Sequence, residues 1–315
     1  MKPVHVFTAS VLALASIAAT AQEINFGIIA TDSASIERER WEPLFRDMEK
    51  QTGLTIKAFY APDYAGVVEA MRFNKVQVAW YGNKAAIDAV DRSGGEVFAQ
   101  VKKADGSQGY NSLLITQKDS PYNNLNDVLK NSKSINFGMG DPGSTSGFLV
   151  PSYYVFAQNK VDPRTAFKTI RNASHGANIQ AVLAKQLDVA TNNTEETDKL
   201  ELTKPEVFKE LKIIWKSPLI PNDPLVWRKD LDSGVKAKLK GFLLAYGKSD
   251  ADKAVLKNIY NYSGFKESSN DQLVPIRQLE LFKDRRKVEN DEQYSAEEKA
   301  QRIADIDKKL AALVK

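Results

Sequence analysis

The chain has 315 residues, 43% of them hydrophobic and 27% charged, enough for two cores of ordinary domain size. It contains no Cys and two His, His5 and His175, which excludes disulfide scaffolds, thiol nucleophiles and Cys/His metal clusters; neither a metal nor a cofactor is expected. The 44 basic and 40 acidic residues are mixed along the chain, so the net charge of +4 gives no reason to invoke nucleic acid.

The first 21 residues stand apart: Lys2 is followed by an apolar and small-residue run over 4–19, and Ala19-Thr20-Ala21 offers an A-x-A cleavage pattern. The run is too short to span a bilayer, so it reads as a secretory signal cleaved after Ala21, and export is expected, to the periplasm where an outer membrane retains the product. With no cysteine at the cleavage point to carry a lipid, a diffusible protein is expected. Lys2 and no acidic residue leave with the signal, so the net charge falls from +4 to +3, and His175 remains without His5.

From Glu23 onward, strand and helix patterns alternate. Residues 24–30 form an apolar run of strand length, and Trp41, Leu44, Phe45 and Met48 then recur at helical spacing. Strands are predicted over 54–60 and 76–81 and helices over 64–74 and 83–92, with Ser93-Gly94-Gly95 as a break. A second unit begins near Tyr110. It has strands over 112–116, 135–138, 187–190 and 212–215, and helices over 125–129, 145–158 and 177–184. This rhythm implies mainly parallel sheets flanked by helices, whose ligands sit in the loops that follow strands and precede helices. Pro218, Pro221 and Pro224 are expected to forbid a regular element across 217–224, and a helix follows over 235–246. Residues 294–315 read as one exposed helix, with Ser295 as its N-cap and Ile303, Ile306, Leu310 and Leu313 as a narrow apolar seam. The seam suits either packing on the chain's own body or a helix-mediated homodimer.

Six loops carry candidate chemistry. Gly138-Met139-Gly140-Asp141-Pro142-Gly143-Ser144-Thr145-Ser146-Gly147 joins a strand to a helix; its small residues, three hydroxyls and helical N–H groups suit an oxyanion without formal positive charge. A bare helix cap is the simpler alternative. His175 enters a second helix, where it suits hydrogen-bond donation to an oxyanion better than metal ligation. Glu195 and Asp223 lie in loops after strands and suit either acid–base work or recognition of an ammonium group. Tyr64 and Tyr110 are aromatic groups in Gly-flanked loops, equally suited to core filling.

At these loops the chain resembles a known family. Ala61-Pro62-Asp63-Tyr64-Ala65-Gly66, Ala79-Trp80-Tyr81-Gly82-Asn83, Gly140-Asp141-Pro142 with Ser144-Thr145-Ser146-Gly147-Phe148-Leu149-Val150-Pro151, Ala190-Thr191-Asn192-Asn193-Thr194-Glu195 and Trp215-Lys216-Ser217-Pro218-Leu219-Ile220-Pro221 resemble the phosphonate-binding proteins of phosphonate ABC transporters. The likeness covers nearly the whole chain after residue 21. It implies a two-lobed type II periplasmic binding fold that traps ligand by hinge closure. Lobe 1 would comprise 22–110 and 217–290, lobe 2 would comprise 111–216, and a C-terminal helix would occupy 291–315. The resemblance further implies that Tyr64, Ser144, Thr145, Ser146 and His175 bind the phosphonate group, and that Tyr110, Glu195 and Asp223 bind the amine of 2-aminoethylphosphonate. One departure is Gly176, where a larger polar residue follows the histidine in a relative. The expected partner is an inner-membrane ABC permease, and no reaction is performed on the ligand. The rivals are a phosphite or methylphosphonate receptor, a secreted phosphonate hydrolase using the hydroxyl loop with His175 as base, and an interaction protein acting through its C-terminal helix.

Overall fold

A computed structural model describes residues 22–314; the predicted signal segment and its cleavage point lie outside the described residues. Among the described residues, eleven strands form two sheets. The first, in order β11-β4-β10-β3-β1-β2, comprises β1 (Glu23–Ile28), β2 (Thr55–Tyr60), β3 (Val78–Trp80), β4 (Gly95–Lys103), β10 (Pro224–Arg228) and β11 (Tyr262–Glu267). The second, in order β7-β6-β8-β5-β9, comprises β5 (Gly109–Gln117), β6 (Asn136–Met139), β7 (Thr169–Asn172), β8 (Val189–Asn193) and β9 (Leu211–Pro221). Helices flank both sheets, giving the two-sheet α/β architecture that the resemblance implies.

The sheets are mixed rather than mainly parallel. β1 pairs in parallel with β2 and β3, and β6 with β7 and β8, as β-helix-β crossovers require. Their other neighbours, β4 and β10 in one sheet and β5 and β9 in the other, pair antiparallel. The reason is connectivity: the chain passes between sheets twice, from β4 to β5 through 104–108 and from β9 to β10 through Asn222 and Asp223.

The proline run does not interrupt regular structure, contrary to expectation. β9 continues through Pro218 to Pro221, and Pro224 opens β10. β9 lies at the edge of its sheet, where a missing N–H costs no ladder bond, and its register against β5 shifts between Asn111 and Leu113 to accommodate Pro218. The helix predicted over 145–158 forms with wide i→i+5 turns over Thr145–Leu149 and Ser152–Phe156. Pro151 stands between them without an N–H for the regular ladder.

Each sheet carries its own core. In the first, Phe26, Phe45, Trp41 and Trp80 form a buried aromatic chain, with Phe26–Phe45 centroids 5.0 Å and Trp41–Trp80 centroids 5.1 Å apart. Trp80 then stacks on Tyr260 at 5.6 Å, so this core reaches the cleft between the sheets. Along β5, Leu114 joins a cluster with Phe137, Val155 and Phe156, while Leu113 and Ile115 join Ile179, Val182 and Leu187 on the opposite face. The helix Ala296–Ala312 is capped by Ser295, whose side chain and that of Glu298 satisfy each other's backbone N–H. It folds back on the helix Val274–Asn290, tied by Arg285 to Asp307 at 3.1 Å, with Ile303, Ile306, Leu310 and Leu313 half-buried.

Candidate functional site

One cavity between the sheets is lined by all eight residues singled out in the sequence: Tyr64, Tyr110, Ser144, Thr145, Ser146, His175, Glu195 and Asp223. Every one of them is buried. Three open a helix: Tyr64 begins Tyr64–Arg72 behind the cap Asp63, Thr145 follows the cap Ser144, and His175 begins His175–Leu183 behind the cap Ser174. Free N–H groups and the positive ends of these helices therefore face one place, which favours an anion.

The loop over 140–147 owes its shape to close backbone approach. Gly140 N–H donates to Gly147 O at 2.9 Å, and a Cβ on Gly140 would stand 2.5 Å from Gly147 Cα, so only glycine fits there. Ser144 Oγ accepts from Gly147 N–H at 2.9 Å and lies 3.3 Å from His175 Nε2. Ser146 Oγ accepts from Asn193 Nδ2 at 3.1 Å, and Thr145 Oγ1 accepts from Lys84 N–H at 2.9 Å. Each hydroxyl thus has its acceptor side engaged and keeps its proton to donate. Burial lowers the His175 imidazole to about 4, so the ring is neutral at pH 7. This end of the cavity is built from neutral donors.

The other end is acidic. Tyr110 Oη donates to Asp223 Oδ1 at 3.0 Å, and Asn83 Nδ2 approaches the same oxygen at 3.5 Å. Burial, followed by the nearby Glu195, raises Asp223 well above the usual carboxylate range. Glu195 is also raised by burial, against the pull of Lys103, whose Nζ lies 3.6 Å from Glu195 Oε1. That separation is an ion pair without a hydrogen bond, and Glu195 Oε1 is left with no hydrogen-bond partner among the described residues.

Several neighbours were not singled out in the sequence: Thr31, Trp80, Gly82, Asn193, Glu196 and Tyr260 also line the cavity. Asn193 and Glu196 flank the recognised Thr194-Glu195, but nothing in the sequence distinguishes a lining Glu from a solvated one. Glu196 joins a buried polar cluster that bridges the two sheets' units. Its carboxylate lies 3.4 Å from Arg40 Nη1 and 2.8 Å from Tyr260 Oη, while Arg40 also contacts Glu37 at 2.9 Å. Burial pushes Glu196 up to about 7 against the pull of Arg40. Gly176 N–H donates to Thr31 O at 3.1 Å, and a Cβ on Gly176 would stand 2.4 Å from Asp32 Oδ1. With Thr145 to Lys84 and Lys103 to Glu195, these contacts close the cleft from several sides.

The family described as ABC transporter, phosphonate, periplasmic substrate-binding protein matches residues 26–273. The chain is 53% identical over 287 residues to the phosphonates-binding periplasmic protein of Escherichia coli K12, covering 91% of this chain and 84% of that protein. Its fold superimposes with a TM-score of 0.91 on the crystal structure of a binding protein component of an ABC phosphonate transporter from Pseudomonas aeruginosa. That protein is 55% identical, and the match covers 93% of this chain and 97% of that one. A protein from Prochlorococcus marinus, solved in complex with methylphosphonate, has the same fold at a TM-score of 0.73 and 21% identity, over 82% of this chain and 97% of that one.

Proposed function

The chain belongs to the periplasmic substrate-binding proteins of phosphonate ABC transporters, and from that membership we propose that its own ligand is 2-aminoethylphosphonate. The observation that carries this reading is the polarity of the cavity. Neutral donors from Tyr64, Ser144, Thr145, Ser146 and His175 occupy one end, and the carboxylates of Glu195 and Asp223, with Tyr110, occupy the other. A zwitterion matches both ends. An anion without an amine matches the first and leaves two buried carboxylates facing a single lysine.

β5 begins at Gly109 and β9 runs to Pro221 in the second sheet, so the lobes part at the crossings 104–108 and Asn222–Asp223 rather than at 110 and 216; closure about these crossings would be felt at Asp223. The ligand passes to an inner-membrane permease unchanged. Ser144 and His175 are close enough to suggest a nucleophile and base, yet among the described residues His175 Nδ1 has no partner to orient the ring, which a working triad needs.

A second reading, a methylphosphonate or phosphite receptor, is favoured by one observation: Lys103 gives Glu195 a task that needs no amine. Titration calorimetry separates the two. We expect 2-aminoethylphosphonate to bind at least about tenfold more tightly than methylphosphonate, the worth of one charge-assisted hydrogen bond. Equal affinities would assign the second reading.

A further inference from the structure

We infer that Lys103 sets the charge requirement of the cavity: by taking up one of its two carboxylates, it leaves room for one cationic group on the ligand. This inference rests on the amine-recognition reading and adds a residue that reading does not contain. Lys103 is the last residue of β4, where the chain leaves the first sheet, and Glu195 belongs to the second sheet's unit, so their contact spans the cleft. Lys103 is 6% exposed, held by Tyr260 O, which accepts from Nζ at 3.3 Å, and its Nζ lies 5.8 Å from the Tyr262 ring centroid. A buried cation in this position is costly unless its charge is used.

The count follows from the neighbours. Glu196 is served by Arg40 and Tyr260, so the carboxylates left for the ligand are Glu195 and Asp223. With both carboxylates ionised, as a bound ammonium would hold them, they form with Lys103 a set of two negative charges and one positive. One ligand ammonium balances it; a ligand without an amine leaves one negative charge buried and unmatched. Asp223 has an oxygen for that ammonium, because Oδ1 takes the bond from Tyr110 while Oδ2 accepts none among the described residues. Lys103 is thus a positioning residue that acts through Glu195 rather than by touching the ligand.

The test is a charge-compensation cycle read by calorimetry with 2-aminoethylphosphonate and methylphosphonate as separate probes. Glu195→Gln alone leaves Lys103 balanced by Asp223 with no charge left for an ammonium, and we expect it to reduce the preference for 2-aminoethylphosphonate at least about tenfold. Lys103→Met alone should weaken binding of the aminated ligand by a similar factor, and Lys103→Arg should restore it. The double variant Lys103→Met with Glu195→Gln returns the set to one unmatched negative charge, so it should bind 2-aminoethylphosphonate more tightly than either single variant and regain the preference. A general loss of packing would weaken both ligands together and would not be reversed in the double variant. Losses that simply add in the double variant, while the unmodified protein prefers the aminated ligand, overturn the role of Lys103 alone. Absence of that preference in the unmodified protein overturns the underlying reading.

Discussion

Replacing Glu195 by alanine is expected to weaken binding of 2-aminoethylphosphonate by about 10- to 100-fold while leaving methylphosphonate within about threefold, since a charge-assisted hydrogen bond contributes roughly 1.5 to 3 kcal/mol. The argument starts from burial. Glu195 and Asp223 are both 4% exposed, so neither can trade its ligand contact for water when the cleft is closed. Without Glu195, Lys103 loses its partner and Asp223 alone faces two cations, the lysine and the ligand's ammonium. Methylphosphonate brings no ammonium and meets a set that is already balanced, Lys103 against Asp223. Calorimetry on the purified variant, with melting temperatures to confirm folding, measures both affinities. Equal losses for the two ligands would make Glu195 a structural acid and remove the basis for discriminating the amine.

The second large effect lies at the opposite end. His175→Ala is expected to weaken 2-aminoethylphosphonate and methylphosphonate alike, by about 10- to 100-fold each, because a donor to a charged oxyanion is worth roughly 1.5 to 3 kcal/mol whatever the rest of the ligand carries. The imidazole stands 3.3 Å from Ser144 Oγ and 3.5 Å from Ser146 Oγ, at the centre of the donor cluster. Among the described residues no basic side chain lines the cavity beside it, so no formal positive charge takes over when the ring is removed. His175→Gln retains a donor and should recover part of the loss. A change confined to one ligand would show that the imidazole reads the substituent rather than the oxyanion.

The contrast between these two variants reflects what sequence can and cannot carry. Hydroxyls and a histidine at the starts of helices are legible, because the same residues that cap a helix also expose its N–H groups, as Ser144 does for Gly147. The helical face of Trp41, Leu44, Phe45 and Met48 is legible from spacing, and all four are buried. Strand β4 was not, since Gly94 and Gly95 read as a break; Gly94 adopts φ 66°, and the strand starts at the next residue. The prolines of β9 misled for a related reason: local chemistry argues against a strand, and only the sheet order, which puts β9 at an edge, makes it permissible.

Polar groups that meet across the cleft were the least legible. Lys103 and Glu195 are 92 positions apart, and Arg40 and Glu196 are 156 positions apart. Each is an unremarkable charged residue until the fold encloses it. Their pairing is a property of the two units brought together, whereas the Ser144-Thr145-Ser146 loop is a property of one segment.

A crystal structure with 2-aminoethylphosphonate bound is the most direct test of the central claim that one cavity reads both ends of a zwitterion. The account predicts phosphonate oxygens about 3 Å from the Ser144, Thr145 and Ser146 hydroxyls and His175 Nε2, and the ligand nitrogen about 3 Å from carboxylate oxygens of Glu195 and Asp223. A ligand bound in the reverse sense, or a nitrogen directed away from both carboxylates, would contradict it.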